Sequence, residues 1–216
     1  LEISEAVLLE EHQSSLSHKG RIIFVIPGLV GIMGRPTSPH FGIASLAGVA
    51  RDLCGYEVNI IDMRLGYDDD YVLNVVKEFK PDYYATTTVT QGHGDVYNLI
   101  RKMKSLDKNI KVVIGGPHTS VTVKDVLNES GADIAVIKEG EMTLKEILNG
   151  EPLENILGIA FKRGNEYIVN PERPFLENLD ELPVPAYDLF ELSEYMDKKL
   201  PMVTSRGCPH RCIFCS

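Results

Sequence analysis

The chain has 216 residues, a formal net charge of -9 and a hydrophobic fraction of 44%, which is typical of a globular protein and excludes disordered and fibrous classes. Its acidic balance repels phosphate backbones, so we expect no nucleic-acid partner. The longest apolar run, residues 22–26, is too short to cross a bilayer. Residues 1–20 lack a basic head followed by an apolar stretch. We therefore expect a cytoplasmic protein without a membrane partner.

Residues 21–148 alternate short β-rich runs with helical patterns, which is typical of a parallel sheet wrapped by helices. The runs that predict strands are residues 21–27, 57–62, 83–89, 111–115 and 133–138. With right-handed crossovers, five such strands predict an α/β fold, a Rossmann-like five-stranded parallel sheet in the flavodoxin-like order 2-1-3-4-5.

The helices between these strands carry recognisable start and stop signals. Apolar residues recur at helical spacing over residues 41–53 and 95–106. Three acidic residues at 68–70 favour the start of the second helix. Thr122 is a candidate cap of the fourth helix, which is predicted to end before Gly131, and Glu141 begins the fifth.

The pattern changes after residue 150. Residues 156–161 and 167–169 flank a turn around Gly164 and predict a β-hairpin. Residues 171–188 contain four prolines, which predict an extended connector because each fixes φ and removes a backbone donor. Residues 203–205 are then predicted to begin a new strand.

Three of the four cysteines lie within residues 208–215. The fourth, Cys54, lies at the end of an apolar helical pattern and is expected to be a buried thiol. Cys208, Cys212 and Cys215 form a CxxxCxxC array, and sulfur ligands select zinc, copper(I) or iron-sulfur clusters. A structural zinc site would need a fourth ligand, for which His210 is the nearby candidate. Three cysteines on a four-iron cluster leave one iron open.

This spacing, with the lead-in Arg206-Gly207-Cys208-Pro209 and with Phe214, resembles the cluster loop of radical S-adenosylmethionine (radical SAM) enzymes. The resemblance implies that Cys208, Cys212 and Cys215 hold a 4Fe-4S cluster. It also implies that the open iron chelates the amino and carboxylate groups of S-adenosyl-L-methionine, whose reductive cleavage yields a deoxyadenosyl radical. Such a reaction needs an electron donor as a partner.

The loops beyond the carboxyl ends of parallel strands are where ligands bind in open sheets. Here these loops are rich in glycine, which permits close backbone approach, and in threonine, whose hydroxyl is both donor and acceptor. Any one of these residues alone indicates a ligand site no more than an ordinary strand or strand end, because threonine favours strands and glycine often ends them. The candidate cofactor-binding residues are Thr87, Thr88, Thr90, Gly115, Gly116, Pro117, His118, Glu139 and Gly140.

Together these loops resemble the cobalamin-binding domain that precedes the barrel in many radical SAM enzymes; the matching stretches are residues 38–47, 81–90, 114–118, 138–141 and 179–188. The resemblance implies that Thr87, Gly115 and Gly116 border the nucleotide tail of cobalamin. The DxHxxG motif, whose histidine coordinates cobalt, is missing. We therefore expect no histidine on cobalt, although His40, His93 and His118 lie in these loops.

The resemblance implies a division into an N-terminal lead (1–20), a cobalamin-binding Rossmann-like domain (21–150), a hairpin with a proline-rich connector (151–200) and the start of a radical SAM barrel (201–216). It implies methyl transfer from methylcobalamin to a small-molecule substrate of unknown identity, with catalytic residues unknown. A cobalamin-dependent cyclase or rearrangement enzyme is an alternative. So is a non-catalytic flavodoxin-like module with a zinc-binding tail. We expect this chain alone to be inactive, because the rest of the barrel would be needed.

Overall fold

In a computed structural model, the residues described are 18–28, 36–164, 166–197, 199–208, 210 and 212–213. Their strands are β1 Arg21–Ile26, β2 Glu57–Asp62, β3 Tyr83–Thr87, β4 Lys111–Gly115, β5 Ile134–Val136, β6 Ile159–Arg163 and β7 Glu166–Val169. They form one sheet in the order β2-β1-β3-β4-β5-β6-β7. Strands β1 to β5 are parallel, which confirms the predicted fold class and the order 2-1-3-4-5.

The five predicted parallel strands are all present, and the predicted hairpin, β6 and β7, extends the same sheet to seven strands. Strand β6 runs antiparallel to β5, with Ala135 opposite Ala160. Without it, β5 would be an edge strand with a row of unpaired backbone groups, which folded proteins tend to cover. A local sequence pattern identifies a hairpin but does not show which strand it pairs with. The predicted domain boundaries stay predictions.

The helices are α1 Phe41–Gly48, α2 Asp69–Phe79, α3 His93–Leu106, α4 Pro117–Val121, α5 Val123–Glu129 and α6 Glu141–Asn149. Helix α1 continues into a π-helical turn, Val49–Leu53. The acidic start of α2 is confirmed, because Asp68 accepts a hydrogen bond from the Tyr71 N–H. In the described part of the chain, no helix is long and apolar enough to cross a membrane.

Thr122 occupies the N-cap position of α5, as predicted, but its side chain makes no capping hydrogen bond to that helix, because its hydroxyl donates to the His118 carbonyl at 2.9 Å instead. One local prediction is wrong. Residues 203–205 form no strand, since no strand of the described chain pairs with them.

The sheet separates two apolar layers because successive strand residues point to opposite faces. Ile22, Phe24 and Ile26 pack in the layer that contains α1 and α6. Ile23 and Val25 pack in the layer that contains α2, α3 and α5. The first layer also contains Cys54, 7% exposed, which confirms the predicted buried thiol.

The proline-rich connector packs on the outside of α1. The Ala186 N–H donates to the Ala44 carbonyl at 2.9 Å, and the Tyr195 hydroxyl donates to Asp62 Oδ2 at 2.7 Å. Asp62 is the last residue of β2, so Tyr195 brings the connector to the carboxyl edge of the sheet. The residues that precede the cysteines therefore lie at the edge where the predicted site is located.

Candidate functional site

A cavity of about 530 Å³ opens at the carboxyl edge of the sheet, between α1 and α6. Phe24 of β1 and Ala85 of β3 lie in its wall, and strand order reverses between these two strands. This reversal is where open α/β sheets bind their ligands. Other apolar residues complete the wall, namely Ile43, Leu46, Val113, Val136 and Leu144. An apolar cavity with a few polar groups at its rim is typical of a cofactor site.

Six of the nine predicted cofactor-binding residues line this cavity: Thr87, Gly115, Gly116, Pro117, Glu139 and Gly140. They come from the carboxyl ends of β3 and β4 and from the segments that follow β4 and β5, as the rule for parallel sheets predicts. That each of them binds the cofactor stays a prediction.

Gly116 allows the loops after β3 and β4 to approach each other closely. Its φ is 102°, and a Cβ there would lie 2.5 Å from Thr87 Oγ1 and 2.6 Å from the Thr88 carbonyl oxygen. The Thr88 N–H donates to the Gly115 carbonyl at 2.9 Å and so holds the loops together. A larger residue would push Thr87 out of its place beside the cavity.

The other three predicted residues, Thr88, Thr90 and His118, lie outside the cavity lining. His118 is buried and hydrogen-bonds through its ring to Thr90 Oγ1 at 3.2 Å and to the Tyr97 hydroxyl at 3.1 Å. Its ring also stacks on His93, with the centroids 4.6 Å apart. Burial, together with the nearby His93, lowers the pKa of His118. These contacts fix the position of α4 behind the cavity rim.

His40 is a cavity residue that was absent from the predicted site residues. It caps α1, where its Nδ1 accepts a hydrogen bond from the Ile43 N–H at 3.2 Å. Burial, and then the charge of Arg64, lowers the pKa of His40. The ring is therefore neutral at pH 7 with its proton on Nε2, which makes Nε2 a donor. The sequence signal for His40 was the stretch of residues 38–47, which resembles the cobalamin-binding domain of radical SAM enzymes.

Arg206, also absent from the predicted site, lines the mouth of the cavity beside Glu139 and Glu141. Its Nη2 donates to Glu141 Oε1 at 2.5 Å, and its Nη1 donates to Glu139 Oε1 at 3.3 Å. Ser45 of α1 also donates to Glu141 Oε1, at 3.0 Å. Burial alone would raise the pKa of Glu141, but hydrogen bonds from Arg206, the backbone and Ser45, with the charge of Arg206, lower it overall. The carboxylate is therefore ionised.

The predicted cluster ligands are only partly described. Cys208 and Cys212 are exposed free thiols, and Cys215 lies outside the described residues. Within the described ranges, no three potential metal ligands converge. The cluster assignment therefore stays a prediction.

Residues 31–148 match the family model described as the B12 binding domain. The chain belongs to the B12-binding domain family. It is 34% identical to an uncharacterized methyltransferase of Pyrococcus horikoshii, over 91% of this chain and 45% of the relative. It is 29% identical to an anaerobic magnesium-protoporphyrin IX monomethyl ester cyclase of Synechocystis, over 82% of this chain and 38% of the relative.

The fold is shared with the cobalamin-dependent S-adenosylmethionine radical enzyme OxsB with aqua-cobalamin bound. The TM-score is 0.72 at 18% identity, over 87% of this chain and 26% of that one. The resemblance to cobalamin-binding radical SAM proteins is confirmed. The chain spans less than half the length of either curated relative.

The residues of the cavity fit part of a cobalamin. Cobalamin is much larger than a cavity of about 530 Å³, but its nucleotide tail ends in an apolar aromatic base that suits the apolar wall. At the rim, Gly116 allows the ends of β3 and β4 to pack closely, which holds the Thr87 hydroxyl beside the cavity. The apolar wall therefore suits the base of the nucleotide tail.

Proposed function

We propose that this chain is the cobalamin-binding and cluster-binding part of a radical SAM methyltransferase. The observation that carries this proposal is that Val203 and Arg206 line the same cavity as Gly115 and Gly116. Arg206 precedes the first cysteine of the CxxxCxxC array by two residues. The loop that would hold the cluster thus begins at the mouth of the cavity that would hold cobalamin.

The residues of the chain have separate roles in this proposal. Gly115, Gly116 and Thr87 border the nucleotide tail, and the apolar wall excludes water from it. His40 offers an Nε2–H donor to a polar group of the cofactor. When bound, methylcobalamin supplies the methyl group, and the cluster with S-adenosyl-L-methionine supplies the radical that activates the substrate.

The three cysteines would hold the 4Fe-4S cluster. Cys208 and Cys212 are exposed free cysteines, so their sulfur atoms are accessible to iron. An electron donor would be needed to reduce the cluster. A radical SAM barrel would select the substrate.

A ring-closing reaction is a second candidate, because one relative is named a cyclase. The cobalamin and cluster sites would be the same in either enzyme, so product analysis of the whole protein distinguishes the two. A zinc-binding tail is distinguished by its metal, since zinc gives no visible colour and is retained in air.

The test measures cobalamin and iron on the same purified chain. The chain is mixed with hydroxocobalamin without oxygen, separated from free cofactor by gel filtration, and then reconstituted with iron and sulfide. The matched control replaces Cys208, Cys212 and Cys215 with serine. We expect one cobalamin per chain in both proteins, and iron above background only in the wild type. Absence of bound cobalamin, or zinc in place of iron, would contradict the proposal.

A further inference from the structure

An ion-pair cluster connects the start of α6 to the segment that leads to the cysteines. We call Glu139, Glu141 and Arg206 the carboxylate clamp. Arg206 bonds to both carboxylates: Nη2 donates to Glu141 Oε1 at 2.5 Å, and Nη1 lies 3.3 Å from Glu141 Oε2 and from Glu139 Oε1. The planar guanidinium suits this arrangement, because its donors form a rigid fork.

The clamp is shielded from solvent. The side chain of Arg206 is 20% exposed and that of Glu141 is 9% exposed. Ion pairs on an open surface are weak, because water competes for both partners and salt screens them. Partial burial strengthens the attraction between the charges, and it makes the loss of one partner costly to the other.

The clamp is also the last described anchor before the cysteines. After residue 197, two described residues make hydrogen bonds to the body of the fold: the Pro201 carbonyl accepts from the Tyr187 hydroxyl, and Arg206 bonds to the two glutamates. Met202 and Val203 between them are exposed, and residues 199–208 have no regular secondary structure. The position of the segment at residue 206 therefore depends on Arg206.

Glu139 joins a second segment to the same point. Its Oε2 accepts a hydrogen bond from the Leu176 N–H at 3.0 Å, and Phe175 lines the cavity. Both segments that border the cavity mouth are thus held by carboxylates that follow β5. Because β5 lies within the sheet, these carboxylates provide a rigid reference for the mouth.

We propose that Arg206 is a positioning residue, and that the carboxylate clamp fixes the distance between the cluster cysteines and the bound cobalamin. This inference rests on the proposed function and adds a defined role for three residues. Loss of the clamp would leave cobalamin bound by the sheet loops, while the cysteines sample many distances from it.

The experiment measures that distance by energy transfer. Cys208 and Cys215 are replaced with serine, and a fluorophore is attached to the exposed Cys212; Cys54 is buried, and burial raises the pKa of its thiol, so it reacts slowly. Cobalamin absorbs visible light and quenches the donor. Donor decay is recorded at saturating cobalamin, so that changes in affinity do not enter the result.

Arg206→Gln and Glu141→Gln each break the clamp, and Arg206→Lys keeps the charge without the fork. The matched control is Arg173→Gln, because Arg173 also pairs with a carboxylate of α6, Glu146, and its side chain is 17% exposed. Arg173 does not line the cavity. Melting temperatures are recorded for all variants.

We expect one short donor lifetime in the wild type and in Arg173→Gln. We expect this component to be lost in Arg206→Gln and Glu141→Gln, and partly restored in Arg206→Lys. Unchanged decays in the clamp variants at full cobalamin occupancy would overturn the inference and leave the proposed function intact. Loss of the short component in Arg173→Gln as well would also overturn it, since any ion pair to α6 would then have the same effect. Absence of cobalamin binding by the wild type would overturn both.

Discussion

Replacing Gly116 with alanine tests whether the close approach of two loops forms the cavity rim. The residue has a φ of 102°, which L side chains adopt with strain. The new Cβ would also meet the backbone of Thr88, at 2.6 Å from the carbonyl oxygen and 2.8 Å from the nitrogen. Backbone atoms cannot rotate away, so the loops after β3 and β4 must separate.

Two costs combine in this substitution. The positive φ costs about 1–3 kcal/mol, and the overlap with neighbouring atoms costs about a further 1–3 kcal/mol. In a chain of 216 residues, each kcal/mol lowers the melting temperature by about 2–4 °C. We therefore expect Gly116→Ala to lower it by at least about 4 °C.

Two other glycines serve as matched controls, with melting followed by circular dichroism. Gly66 has a φ of 107° but would place its Cβ in open space, so Gly66→Ala retains only the cost of the strained backbone. Gly115→Ala would place its Cβ 3.8 Å from Val136 Cβ, an ordinary contact, and should leave stability nearly unchanged while it weakens cobalamin binding at the cavity. Equal destabilisation by Gly66→Ala and Gly116→Ala would refute the reasoning, because the close approach would then cost nothing.

Three further predictions concern the cofactors and pH. Bound cobalt(II) cobalamin should be base-off and show no nitrogen superhyperfine splitting in its electron paramagnetic resonance spectrum. To bind cobalt, Nε2 of His40 would have to give up its proton to Nδ1, which accepts the hydrogen bond from the Ile43 N–H. Observed splitting would contradict this prediction. The pKa of His40 is lowered in the fold, so the unfolded chain binds more protons as pH falls below about 6.5. The free energy of unfolding should therefore decrease below that pH, and it should decrease less steeply in His40→Asn, which keeps a capping side chain. An equal pH dependence of this free energy in both proteins, measured by urea denaturation, would count against the prediction. Finally, the chain alone should not form deoxyadenosine over multiple turnovers with dithionite and S-adenosyl-L-methionine, because it spans less than half the length of its curated relatives and the reacting atoms must be held in place; multiple turnovers would contradict this.

The sheet order and the position of the site could be predicted from the sequence. Each of the first five strands is a short β-rich run, and right-handed crossovers leave few ways to order them. The glycines and threonines that follow β3 and β4 are adjacent in the sequence to the strands that position them. For this reason the sequence predicts Thr87, Gly115 and Gly116 at the site, and all three line the cavity.

Contacts between distant residues could not be predicted in the same way. Arg206 meets Glu141 across 65 residues, and no local periodicity relates the two. His118 was expected at the cavity, but its bond to Tyr97, 21 residues away, holds its ring in another direction. The pairing of β6 with β5 is likewise a tertiary contact that a hairpin pattern does not contain.

Hydrogen exchange of the chain with and without cobalamin tests most directly whether the cavity and the cysteine lead-in form one site. Cavity-lining residues fall within five segments, 40–46, 85–87, 115–117, 138–141 and 203–206. We predict slower exchange in all five segments when cobalamin is bound, including the last. Protection of the sheet loops without residues 203–206 would contradict the claim that the cluster loop begins at the cobalamin site.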